Sequence, residues 1–197
     1  ELALDDQSKT ECIGALVRDC LASDADTRTT LARIAAISAA YAGFNLLAFD
    51  GHSLAIHEST TGHIKSLSPG VYGLSNHLLD TPWPKVRLAR ERFAAALPDL
   101  PDDRRLLALL RDDQPAPDAH LPRTGVGMEW ERWLSPAFIR APGYGTRCSS
   151  VLTLSNDGAV CFAEWTWDEA GRIAAEVRHR FTVAAPPAAT AEHTRTP

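Results

Sequence analysis

The chain has 197 residues, 45% of them hydrophobic, and a formal net charge of -5. That length suffices for one large domain with a buried core, and the scattered Lys and Arg exclude a phosphate-tracking basic surface, hence a nucleic-acid partner. No apolar run approaches the ~20 residues that a bilayer-spanning helix needs, so no membrane span is expected, and residues 1–10 are too polar for a signal peptide. Cys12, Cys20, Cys148 and Cys161 form no CxxC pair and read as reduced thiols of a cytoplasmic protein. The histidines include no HExxH, and His52 and His57 read as surface or packing residues, so no metal is expected.

Taken in chain order, residues 13–23 predict a short helix with Leu16, Val17 and Cys20 on one face. Asp26 is placed to cap a second helix running to about Tyr41, with Leu31, Ile34, Ala35 and Ser38 in a stripe. The period then switches, and two strand-like runs meet at Asp50-Gly51, a dipeptide suited to a tight hairpin turn. Gly70 to Leu74 reads as a buried strand ending at Ser75-Asn76. Pro84 suits the first turn of a helix carrying Val86, Ala89, Arg90, Phe93 and Leu97, and Pro101 opens a leucine-rich one. Residues 115–127 are rich in proline and glycine and read as a long irregular loop.

The C-terminal third reads as a three-stranded meander. "GTRCSSVLTL" and "AVCFAEWTW" flank the turn Ser155-Asn156-Asp157-Gly158, and "RIAAEVRHRFTV" follows. Residues 184–197 carry no apolar pattern and are expected to be a disordered tail. Helices, hairpin, strand, helices and meander in that order argue for α+β with mainly antiparallel sheet.

Two long stretches carry a resemblance: "GVYGLSNHLLDTPWPKV" from Gly70, and "LPRTGVGMEWERWLSPAFIRAPGYGTRCSSVLTL" from Leu121. "YAGFNLLAFDG" from Tyr41 adds to them, and the whole resembles the NRDE, or transport and Golgi organisation, family over residues 13–183, with 1–12 unmatched. The resemblance implies an αββα sandwich of the N-terminal-nucleophile hydrolase kind. It also implies a Met-Cys start and an Asn-Arg-Asp-Glu motif, neither of which this text contains. The expectation is therefore an N-terminally truncated domain that resembles cysteine hydrolases of C–N amide bonds, without the nucleophile and inactive by itself. The alternative that the resemblance implies is a haem-binding or haem-trafficking protein. The partner is thus a small-molecule amide or haem, with no resident cofactor.

Within that frame Asn76 is the first candidate, an amide placed to meet a developing oxyanion or, equally, to cap the turn before Asp80. Arg147, at the mouth of a buried strand, either holds an anion or pairs with Glu129 or Glu131. Cys148 reads as a small buried thiol. Trp83, between two prolines, plugs a groove under its helix or, with Trp130, Trp133 and Tyr144, lines a ligand cleft.

Overall fold

The computed structural model describes residues 13–183, which form two compact units, residues 13–70 and 71–183. The segments 1–12 and 184–197, expected as an unmatched start and a disordered tail, lie outside the described residues. Among the described residues the chain is α+β with five α-helices and antiparallel sheets, the fold class expected.

In the first unit, α1 (Ile13–Leu21) and α2 (Thr27–Ile37) precede the strands β1 (Asn45–Phe49), β2 (Leu54–Glu58) and β3 (His63–Leu67), paired in that order. Asp26 starts α2 as expected: its carboxylate accepts from the Thr29 N–H at 2.9 Å and the Thr29 hydroxyl at 2.7 Å. The helix stripe holds at Leu31 and Ile34, both buried, with Leu31 against Ala48 and Ala55 of the sheet. Helix α2 stops at Ile37, and Ser38–Ala40 tighten into a 3-10 turn before Tyr41. Asp50-Gly51 is indeed the hairpin bend, with Gly51 at φ 91°, but Phe49 pairs with Leu54, so the loop has four residues. The longer loop exists because Asp50 fills it. Its carboxylate accepts from the N–H groups of His52 and Ser53 at 2.9 and 2.8 Å and from that of Thr27 at 2.9 Å. Strand β3 has no counterpart in the sequence reading.

In the second unit, α3 (Pro84–Ala96), α4 (Arg104–Leu110) and α5 (Met128–Leu134) precede a two-stranded ribbon, β4 (Arg140–Ala141) with β5 (Tyr144–Gly145). The meander follows as β6 (Cys148–Leu154), β7 (Ala159–Trp167) and β8 (Ile173–Thr182). Alternation along β7 buries Ala163, Trp165 and Trp167, which join Val151, Phe138, Leu106 and Ala96 in the core. The Trp167 indole N–H donates to the Ser149 hydroxyl at 3.1 Å, and its ring meets Phe138 edge-on at 5.0 Å. Burying that indole without its partner would strand a donor, so Ser149 is part of the core's design. Cys148, Ser150 and Leu152 share the other face, and Cys148 is exposed rather than buried because that face is turned from this core.

The strand expected at Gly70–Leu74 does not form. Its ladder groups are used elsewhere: the Gly73 N–H donates to the Asp80 carboxylate and the Gly73 carbonyl accepts from the Asp80 N–H, both at 2.8 Å. The Val71 carbonyl accepts from Arg90 Nε at 3.1 Å. Backbone groups satisfied by a loop and a guanidinium have no call for a neighbouring strand.

Candidate functional site

The segment between Gly73 and Asp80 is a closed ring. Its reciprocal Gly73–Asp80 bonds are reinforced by Arg90, whose guanidinium lies 3.2 Å from the Asp80 carboxylate. Asp80 sits at φ 58°, a left-handed conformation that aspartate tolerates better than most residues. Gly73 is required by space: a Cβ there would lie 2.6 Å from Val86 Cγ1 of α3. The turn that Asn76 was expected to cap is therefore closed by Asp80, which also carries the left-handed backbone. Asn76 rides on the crest, exposed, and its carboxamide has no hydrogen-bond partner among the described residues.

Asn76 borders a cavity of about 240 Å³. Trp83, Pro84 and Lys85 form one wall, the loop carrying Pro122, Thr124 and Val126 a second, and Glu131 and Leu134 of α5 the floor. Two charged side chains dominate it. Glu131 is only 5% exposed, and one of its oxygens accepts from both the N–H and the hydroxyl of Thr124, at 2.6 and 2.7 Å. That clamp fixes the loop between the glycines at φ 97° and 84°, Gly125 and Gly127. Lys85 donates from Nζ to the Leu134 carbonyl at 2.8 Å, and its ammonium stands 5.9 Å from the Trp83 ring centre. Burial pushes the Lys85 pKa below its ordinary value, and the Glu131 carboxylate draws it partly back.

The hydroxyls in the wall are committed. Thr124 donates to Glu131, while Ser135 donates to the Arg132 carbonyl at 2.8 Å and accepts from the Ala116 N–H at 2.9 Å. The carboxylate facing the Thr124 hydroxyl also holds the Thr124 N–H and serves to anchor the loop, while Ser135 has no base among its partners.

The other expected residues lie apart from it. Arg147 and Tyr144 line a separate cavity of about 570 Å³ with Arg140, Trp167 and Asp168. Arg147 is held through its carbonyl, which accepts from the Trp167 N–H at 2.9 Å. Its guanidinium pairs with neither Glu129 nor Glu131 among the described residues; Glu131 is taken by Thr124. Trp130 meets Tyr144 edge-on at 6.2 Å, and Trp133 borders a third depression with Arg132 and Pro136. Of the three tryptophans expected around the Asn76 mouth, only Trp83 lines that cavity.

Lys85 was absent from the sequence reading, and Glu131 entered it only as a possible partner of Arg147. One signal pointed to Lys85: a cation in the first turn of a helix opposes the helix dipole, a placement that calls for a tertiary reason. Glu131 gave no signal beyond sitting in a short tryptophan-bearing segment. Among the described residues no group of three or more His, Cys, Asp or Glu side chains is assembled as for a metal ion, and no helix is long and apolar enough to cross a membrane.

The family described as Transport and Golgi organisation 2 matches residues 3–169, against the 13–183 read from the motifs. Transport and Golgi organization protein 2 homologs from Bos taurus and Homo sapiens are 34% and 32% identical over 170 and 167 residues. The Mus musculus homolog is 30% identical over 170 residues. Each alignment covers 77% of this chain and 60% of the relative, so the chain spans about 60% of the length of these curated relatives.

Proposed function

The chain belongs to the Transport and Golgi organisation 2 family, and from that premise we propose that its Asn76 cavity binds a small amide and polarises the amide carbonyl. The observation that carries this reading is Asn76 itself, an unpartnered carboxamide on a clamped loop at the rim of a partly desolvated cavity. The Asn76 N–H₂ donates to the ligand carbonyl oxygen, and the donation strengthens as negative charge builds there. One such donor is worth ~3 kcal/mol of transition-state stabilisation. This is the polarising half of an N-terminal-nucleophile amide hydrolysis or acyl transfer; the attacking group comes from outside the described walls. Cys20, Cys148 and Cys161 are free thiols, which supports a reducing compartment such as the cytoplasm.

Calorimetric titration with N-acetyl-L-leucinamide tests it. Saturable binding is expected, weakened at least tenfold by Asn76→Ala with the melting temperature preserved. Binding indifferent to Asn76 refutes the assignment.

A second reading, haem transport, draws on the larger cavity, where the Arg147 guanidinium and the half-exposed Tyr144 ring offer a carboxylate partner and a flat apolar contact. It requires saturation near one haem equivalent and weakening by Arg147→Ala; unsaturable uptake removes it.

A further inference from the structure

The Asn76 cavity contains two opposite charges that do not touch. Lys85 Nζ and the Glu131 carboxylate lie more than 4.0 Å apart, since no ion pair joins them. Each is pinned by its own structural bond. Lys85 is held by the Leu134 carbonyl and its place in the first turn of α3, and Glu131 by the double donation from Thr124. Neither can swing to the other without giving up that bond.

The pinning leaves hydrogen-bonding capacity open toward the cavity. The Glu131 oxygen not used by Thr124 has no partner among the described residues, although the side chain is almost wholly buried. An ammonium has three donors, and Lys85 spends one of them on Leu134. An acceptor and two donors in a partly buried site are met by water or by a ligand, and a ligand carrying both opposite charges meets them at once.

The rest of the cavity narrows the class. Its volume of about 240 Å³ lies below the ~300–1,000 Å³ of drug-sized sites, so the occupant is a small molecule. Pro122, Val126, Leu134 and Trp83 give the same cavity apolar wall. A simple anion leaves Glu131 uncompensated, and a simple cation does the same to Lys85. We propose that the cavity takes a free α-amino acid with an apolar side chain, its ammonium on Glu131 and its carboxylate on Lys85. The proposal rests on the Asn76 cavity being the ligand site; a free amino acid carries no amide, so it is a second ligand of that cavity, tested apart from the amide.

The test is a titration of the protein with L-leucine, N-acetyl-L-leucine, L-leucinamide and N-acetyl-L-leucinamide at neutral pH and low salt. Leucine is expected to saturate one site, with N-acetyl-leucine, which lacks the ammonium, and leucinamide, which lacks the carboxylate, each at least tenfold weaker. Glu131→Gln, which keeps an acceptor for Thr124, is expected to weaken leucine at least tenfold and leave N-acetyl-leucine unchanged. Lys85→Met is expected to weaken leucine and leave leucinamide unchanged; should that variant fail to melt cooperatively, Lys85→Arg together with Glu131→Gln decides. Leucine binding that does not saturate, or that Glu131→Gln leaves intact, overturns the proposal. If N-acetyl-leucinamide binds through Asn76 while leucine does not, the amino-acid inference fails and the amide reading stands. If none of the four binds, both fail.

Discussion

The Thr124–Glu131 clamp should be measurable as a coupling energy. Thr124→Val removes the hydroxyl donor at 2.7 Å, keeps the side-chain shape and leaves the N–H donor at 2.6 Å in place. A hydrogen bond to a charged acceptor contributes about 1.5–3 kcal/mol, and Thr124 lies in an exposed loop where water can replace it, so the lower end applies: about 1.5 kcal/mol. Glu131→Gln keeps a neutral acceptor and should cost about 1 kcal/mol, whereas Glu131→Ala loses both bonds and should cost about 3 kcal/mol. Because both substitutions act on one oxygen, Thr124→Val in the Glu131→Ala background should cost almost nothing, a coupling of about 1.5 kcal/mol. The two compact units need not unfold together, so a local probe is preferable to a global melt. Hydrogen exchange of the Thr124 amide is that probe: 1.4 kcal/mol is tenfold in protection, so Thr124→Val should lower it roughly tenfold. Full additivity of the two substitutions, or unchanged exchange at Thr124 in Glu131→Ala, would show that the carboxylate does not hold the loop.

Three further outcomes are expected. Asp50→Ala removes three backbone N–H bonds that tie the β1–β2 loop to the start of α2, and should cost about 1–2 kcal/mol at this exposed site, read from exchange of the Ser53 amide. Desolvation pushes the Asp50 pKa up, but the combined donations from Ser53, Thr27 and His52 outweigh it and hold the carboxyl well below the usual range. Its contribution is therefore complete above about pH 4, the ordinary aspartate value, and lost as pH falls below that toward the folded-state value, a decline that Asp50→Ala should abolish. Gly73→Ala forces a Cβ to within 2.6 Å of Val86 and should lower thermal stability by about 1–3 kcal/mol; a neutral effect would mean that the ring yields without strain. Trp167→Ala, at a side chain only 2% exposed, should cost about 3–5 kcal/mol in denaturant titration, and Ser149→Ala about 1 kcal/mol through the lost indole partner.

What the sequence made legible follows from where the information sits. The meander was readable because burial alternates with period two along β7, and α2 because Asp26 and the Leu31–Ile34 stripe agree on one start and one face. Strand β3 was not, because its inward positions are few and Lys65 on it answers Glu58 across the pairing, 2.6 Å away, a partnership invisible in linear text. Helix α5 is seven residues long, too short for its period to register. The apolar run at Gly70–Leu74 looked like a strand because hydrophobicity reports burial and cannot report which partner takes the backbone groups; here Asp80 and Arg90 take them.

The site divides along the same line. Asn76 and Trp83 were legible because turn chemistry and prolines surround them, and the structure sets both on one cavity. Lys85 and Glu131 belong to residue types that normally face water, so pattern alone assigns them to the surface. Their burial is a tertiary fact, produced by a helix start, a carbonyl at the end of α5 and a threonine seven residues upstream of Glu131. A lysine placed against the helix dipole and a carboxylate buried at 5% exposure both cost free energy, and without a direct ion pair their mutual attraction offsets only part of it. Two such costs at one cavity, beside an amide with no partner among the described residues, support the proposal that this cavity holds a ligand.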